Sequence, residues 1–166
     1  MFKKTSSRVL VLSLSLCTSL VWAADVSGEV KLSCPAGTKQ FGGRATMTDR
    51  GVFCVKSGTE TGMPVAHGPY VSFHANGSKK AVGQHVDGAQ SGLWTFFDEN
   101  GVKTEEIEFS GGNYNGKRVQ YFANGKSRMV EQYVKGKRNG LVQEFSEDGK
   151  LVRQAQYQDG HQVATK

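Results

Sequence analysis

The sequence predicts an all-β fold, an elongated antiparallel meander of stacked β-hairpins behind a disulfide-linked N-terminal cap. Three observations predict it. From residue 68 the chain divides into four blocks of 24 residues without insertion, the mark of a repeat architecture. Twelve of the 21 glycines fall into three columns of that repeat. Between the columns lie short runs rich in Val, Tyr, Phe and Thr, residues suited to a pleated, half-buried surface.

The blocks open at Gly68, Gly92, Gly116 and Gly140 and run to residue 163. A middle column holds Asn76-Gly77, Asn100-Gly101, Asn124-Gly125 and Asp148-Gly149. Such dipeptides tolerate positive φ at two successive residues, so this column is the predicted tight hairpin turn. A third column, Asp87-Gly88, Gly111-Gly112, Lys135-Gly136 and Asp159-Gly160, leads into the next opening glycine and predicts a second, longer turn. Each block is then one hairpin. Aromatic residues recur five places after each opening glycine, at Phe73, Phe97, Tyr121 and Phe145, and again at His85, Phe109, Tyr133 and Tyr157. Rings at matched places in successive hairpins are expected to stack as a ladder along one face.

Residues 1–23 read as a secretory signal peptide. Lys3, Lys4 and Arg8 precede a short apolar run, and Val21-Trp22-Ala23 supplies small residues at the cleavage positions. The run is shorter than the roughly 20 residues that span a bilayer, so no transmembrane helix is expected after cleavage. Cys17 follows Leu16 rather than a small residue, which argues against acylation there. Residues 24–67 carry GEVKLSC, RATMT and GVFCVKS, read as two or three strands of a cap covering the exposed edge of the array. Cys34 and Cys54 are the cysteines left after cleavage. An even count in an exported chain predicts a disulfide, favoured over free thiols or half a metal site because no C-x-x-C or histidine pair stands beside them.

The whole chain has 21 Lys+Arg against 15 Asp+Glu, a net charge of +6. Removing the three basic residues of the leader lowers it to +3. A basic pI that owes half its excess to a discarded peptide, in an exported protein, argues against a nucleic-acid partner. The remaining charge is patterned by block. The Gly92 block sums to −4, the Gly116 block to +6 and the Gly140 block to −2. Acidic and basic hairpins side by side can pair across strands. Alternatively, Lys117, Arg118, Lys135, Lys137 and Arg138 surround one turn as a patch for phosphates of lipid head groups, acidic glycans or an acidic protein surface.

Catalytic chemistry finds little purchase. His67, His74 and His85 could form a metal site, but His85 stands in a ring column. Glu106 and Glu108 share a strand face beside Glu105, where a solvated acidic stripe is the simpler account. No nucleophile elbow, zinc-protease motif or phosphate loop occurs. No catalytic residue, metal or cofactor is therefore expected.

The pattern G-x-W-x-x-F-x-x-x-G at Gly92, then an acidic aromatic strand and a second x-G-x-x-x-G, resembles the MORN repeat. It is more similar still to the bacterial MORN-variant repeat, with an aromatic strand, Asn-Gly, a second strand and Gly-x-x-x-Gly. The segment from Cys34-Pro35-Ala36-Gly37 through Cys54 to Tyr70 also resembles caps that precede such arrays in exported bacterial proteins. Two departures stand out: Arg118 replaces the Tyr70, Trp94 or Val142 of other blocks, and the last block lacks a closing glycine. The resemblance implies an exported periplasmic or secreted module, non-catalytic, that binds a protein or an anionic envelope component. Rival readings are an antitoxin-like inhibitor of a toxin or effector, and an envelope hydrolase assembled from separate hairpins.

Overall fold

The computed structural model describes residues 29–43, 51–56 and 62–163. The leader at residues 1–23 and the RATMT segment lie outside the described residues. Twelve strands form one antiparallel sheet: β1 (Thr38–Phe41), β2 (Val52–Lys56), β3 (Val65–Phe73), β4 (Lys79–Val86), β5 (Ala89–Phe97), β6 (Lys103–Ser110), β7 (Asn113–Tyr121), β8 (Ser127–Val134), β9 (Lys137–Arg138), β10 (Gly140–Phe145), β11 (Leu151–Gln158) and β12 (His161–Val163). Sequence order and spatial order agree along the whole path, with β9 pairing β8 ahead of β10. The all-β meander is thus established, and no helix occurs among the described residues. Cys34 and Cys54 are disulfide-bonded. The expected GEVKLSC strand is reduced to a lone bridge residue at Glu29. Strand β3 begins at Val65, so it runs straight through the expected boundary between residues 67 and 68.

The two kinds of turn exchange the roles expected of them. In the middle column only glycine has positive φ, +83° at Gly77, while Asn76 keeps ordinary geometry. The His74 carbonyl accepts from Gly77 N–H at 2.9 Å, and His74 N–H donates to the Ser78 carbonyl at 2.8 Å. This is a three-residue loop, a turn closed by a left-handed glycine. The asparagine contributes a side chain instead: Asn76 Oδ1 accepts from Ser78 N–H at 2.9 Å, an Asx turn. The third column carries the two-residue turn, with successive positive φ of 50° and 86° at Asp87-Gly88 and 49° and 80° at Lys135-Gly136. Its flanking residues Val86 and Ala89 are cross-strand partners. Asp tolerates the left-handed region through local hydrogen bonding, whereas Lys135 occupies it without that help.

Turns also bind their neighbours along the array. Asn76 Nδ2 donates to the Glu99 carbonyl at 2.8 Å, and Asn124 Nδ2 to the Glu147 carbonyl at 3.0 Å. At the other margin Gly112 N–H donates to the Gln90 carbonyl at 3.0 Å, and Gly136 N–H to Tyr114 at 2.8 Å. Both margins of the sheet are therefore stapled one block to the next, in step with the repeat.

Strands contact mainly their immediate neighbours, so burial comes from side chains on one face covering each other. The core is Ala81, Trp94, Ile107 and Phe109, with Tyr70, Phe96 and Tyr114 packed against it. Trp94 is only 3% exposed although the described strands form a single sheet. Its indole lies over Gly83, where an added Cβ would fall 2.3 Å from the ring. The indole Nε1 donates to the Gln84 carbonyl at 3.1 Å, satisfying the polar edge of a buried ring. By strand alternation Val52 and Val71, cross-strand partners, are buried on the opposite face.

Candidate binding surface

The face that carries Trp94 presents a row of rings. Phe41 meets Phe53 at 5.3 Å, Phe53 meets Tyr70 at 6.1 Å, and Tyr70 meets Trp94 at 5.1 Å between centroids. The row continues from Trp94 to Phe109 at 6.0 Å, to Tyr114 at 5.0 Å and on to Tyr133 at 5.2 Å. His85 inserts edge-on between Tyr70 and Trp94. Edge-to-face and tilted pairs of this kind add stability beyond area burial. The row spans strands from β1 to β8.

Sequence columns and ring contacts coincide only in part. Phe109 and Tyr133 lie in the row, and Tyr157 sits beneath the Arg138 guanidinium at 5.5 Å. Phe73, Phe97, Tyr121 and Phe145 do not join it. A β-bulge falls immediately before each of them in its pairing, between Phe96 and Phe97 in β5 and between Gln120 and Tyr121 in β7. These four residues stand three places beyond Tyr70, Trp94, Arg118 and Val142, so strand alternation alone turns them to the other face. Strand counting from the opening glycine could have found the missing members: Tyr70 and Trp94 stand two places after it, on the face of the second ring column.

That same position holds Arg118 in the third block, and its environment is ionic where Trp94 has rings. Arg118 Nη1 donates to Glu131 Oε2 at 2.8 Å, and its Nε donates to Glu105 Oε1 at 2.7 Å. Arg138 Nε donates to Glu131 Oε1 at 2.7 Å. Glu131 is fully buried. Burial alone would lower the Arg118 pKa, but the hydrogen bond and charge of Glu105, joined by Glu131, raise it above the ordinary guanidinium value. Arg138 is raised as well, first by Tyr133 and then by Glu131. Two of the five expected patch residues are therefore held in ion pairs. Lys117, Lys135 and Lys137 remain exposed. The acidic and basic hairpins pair across strands at this rung, as the simpler reading of the charge pattern expected.

Glu106 makes a second group with Lys103 and Tyr121. Lys103 Nζ donates to Glu106 Oε1 at 3.0 Å and lies 4.2 Å from the Tyr121 ring centroid, while the Tyr121 hydroxyl donates to Glu106 Oε2. Burial pushes the Glu106 carboxyl up, yet Tyr121 and Lys103 hold it below its usual value. A carboxylate engaged at both oxygens is poorly placed to move a substrate proton. The histidines do not converge. His67 Nδ1 accepts from Asp87 N–H at 3.3 Å, His74 Nε2 donates to the Phe97 carbonyl at 2.9 Å, and His85 stands in the ring row. Among the described residues no group of three or more His, Cys, Asp or Glu is arranged to hold a metal ion.

Beside the ring row is an open groove of about 660 Å³. Tyr70, Phe96 and Ala81 line it together with His74, Lys80, Gln90 and Glu99, a mixture of apolar surface with hydrogen-bonding groups of both signs.

The family model for the MORN repeat variant matches residues 90–110 and 138–159. Two segments of the chain are thus similar to the MORN repeat variant. The two matched segments begin 48 residues apart, 138 less 90, which is twice the stride of the blocks. They cover β5–β6 and the stretch from Arg138 through β11. No curated protein matches the chain.

Proposed function

We propose that this MORN-variant array is an exported, non-catalytic binding or scaffold module, with the ring-bearing face and its groove as the contact surface. One observation carries the reading. Rings in contact run unbroken across β1 to β8 on a single continuous sheet, beside a groove that offers both apolar and hydrogen-bonding groups. A rigid extended surface of this kind presents many contacts at low conformational cost. Of the candidate acid–base residues Glu105, Glu106 and Glu108, the first two are already committed to Arg118, Lys103 and Tyr121, which supports binding over turnover. The partner is a protein or an anionic envelope component, met by the groove and by exposed Lys117, Lys135 and Lys137.

Crosslinking pull-down from the native envelope fraction tests this. Lys80→Glu with Gln90→Ala alters the groove, and Lys135→Glu with Lys137→Glu alters the exposed basic turn. Arg138 is left in place because it neutralises buried Glu131. A partner retained by the parent chain and lost with one of these pairs is the expected result. Capture that is identical for all three proteins, or no capture at all, would overturn the reading.

A further inference from the structure

The segment 30–32 lines, with β3 and β4, a partly open pocket of about 100 Å³. Its walls are Val30, Leu32, Pro69, Val71, Phe73 and Val82, and Lys31 and Lys79 also line it; no carboxylate does. The wall segment is held in place. Val30 N–H donates to the Gly43 carbonyl at 2.8 Å, Leu32 N–H to Gln40 Oε1 at 2.7 Å, and Gln40 Nε2 to the Val30 carbonyl at 2.7 Å. Two residues beyond Leu32, Cys34 is tied to Cys54 of β2.

We propose that this pocket binds a medium-chain fatty-acid carboxylate, its first methylenes between Leu32 and Val82 and its carboxylate between Lys31 and Lys79. Size and charge choose this ligand together. An apolar cavity near 150 Å³ takes up benzene, so this pocket has room for roughly four methylenes. Two lysines, and no carboxylate among the described residues, line the pocket, which suits an anionic head, and an apolar chain is the matching content for such walls. Because the wall is pinned through Cys34, binding requires the disulfide. Tyr70 and Phe73 line both this pocket and the groove, but the pocket's lysines, Lys31 and Lys79, do not line the groove, so their exchange tests this site apart from the role proposed for the ring face.

Isothermal titration of the full chain, bridge intact, with butanoate, hexanoate, octanoate and decanoate below micellar concentrations tests the proposal. Saturable 1:1 binding is expected, tightening roughly fourfold per methylene until the pocket fills and then levelling. The exposed pair Lys31→Glu with Lys79→Glu should weaken octanoate at least about tenfold while leaving octanol unchanged. Reduction of Cys34–Cys54 should abolish octanoate binding while the far-ultraviolet signal of the hairpins persists. Absence of saturable binding, equal affinity after the lysine changes, insensitivity to reduction, or binding to phosphatidylglycerol vesicles alone would each overturn it.

Discussion

Arg118 faces Glu131 across β7 and β8, guanidinium Nη1 to carboxylate Oε2 at 2.8 Å, on the rung where the preceding hairpin sets Trp94 against Ile107. Blocks of equal stride invite pairing with the wrong block, because the apolar pattern alone recurs every 24 residues. A charged rung is favourable only in its own place. Displaced by one block toward the C-terminus, Arg118 would meet Ala155 instead of a carboxylate.

Removing one member of this rung should cost far more than replacing both. For Glu131→Ala we expect a loss of about 3 kcal/mol, because Arg138 loses its carboxylate and Arg118 keeps only Glu105; their partial exposure keeps the figure at the lower end of the range for buried pairs. Arg118→Trp with Glu131→Ile, which copies the preceding rung, should be neutral or stabilising. Denaturant midpoints measure both. A Glu131→Ala protein as stable as the parent would show that the rung carries no structural weight.

Gly83 is needed for space. Its Cβ would fall 2.3 Å from the Trp94 ring, so Gly83→Ala should destabilise by about 1–3 kcal/mol through overpacking. Combining it with Trp94→Leu should recover part of that loss. A double-mutant cycle that is strictly additive would contradict this account.

Stability should decline on mild acidification because of His85. Burial lowers its pKa in the fold below the ordinary histidine value, and rings flank it on both sides. The unfolded chain therefore binds the proton more readily, so the contribution is complete above pH 6.5 and is lost as pH falls through that value toward the lowered one. His85→Phe, the residue type found at Phe109 in the same column, should flatten the stability profile between pH 7 and the carboxylate range. An unaltered profile would remove His85 as the cause.

The Cys34–Cys54 bridge closes a sequence separation of 20 residues, worth about 3 kcal/mol by the loop-entropy argument. Reduction should release β1 and the segment before it while β5 to β8 keep their order, since a sheet of this kind is stabilised mostly between neighbours. Hydrogen exchange with and without reductant reads this directly. Equal loss of protection across all the strands would show a single cooperative unit instead.

Turn chemistry explains which features could be read in advance. The glycine columns marked every reversal correctly, but Asn76-Gly77 and Asp87-Gly88 exchanged their expected geometries. Dipeptide preference allows two left-handed residues at either place, and the strand register decides which turn uses them. Phe97 and Tyr121 lie off the ring row because each stands three places beyond Trp94 or Arg118, on the alternate face of its strand. Arg118 and Arg138 were visible as charges, yet Glu131 as their shared acceptor was not.

An uninterrupted 24-residue stride, strand-forming composition and a glycine at every reversal determined an antiparallel meander from residues alone, because each of these acts over only a few neighbouring positions. Tertiary structure decided which rings touch, which cations stay exposed, and how segment 30–32 closes a pocket with Val71 and Val82. Those depend on cross-strand phase and on residues from different hairpins meeting side by side, and a local pattern carries no information about either.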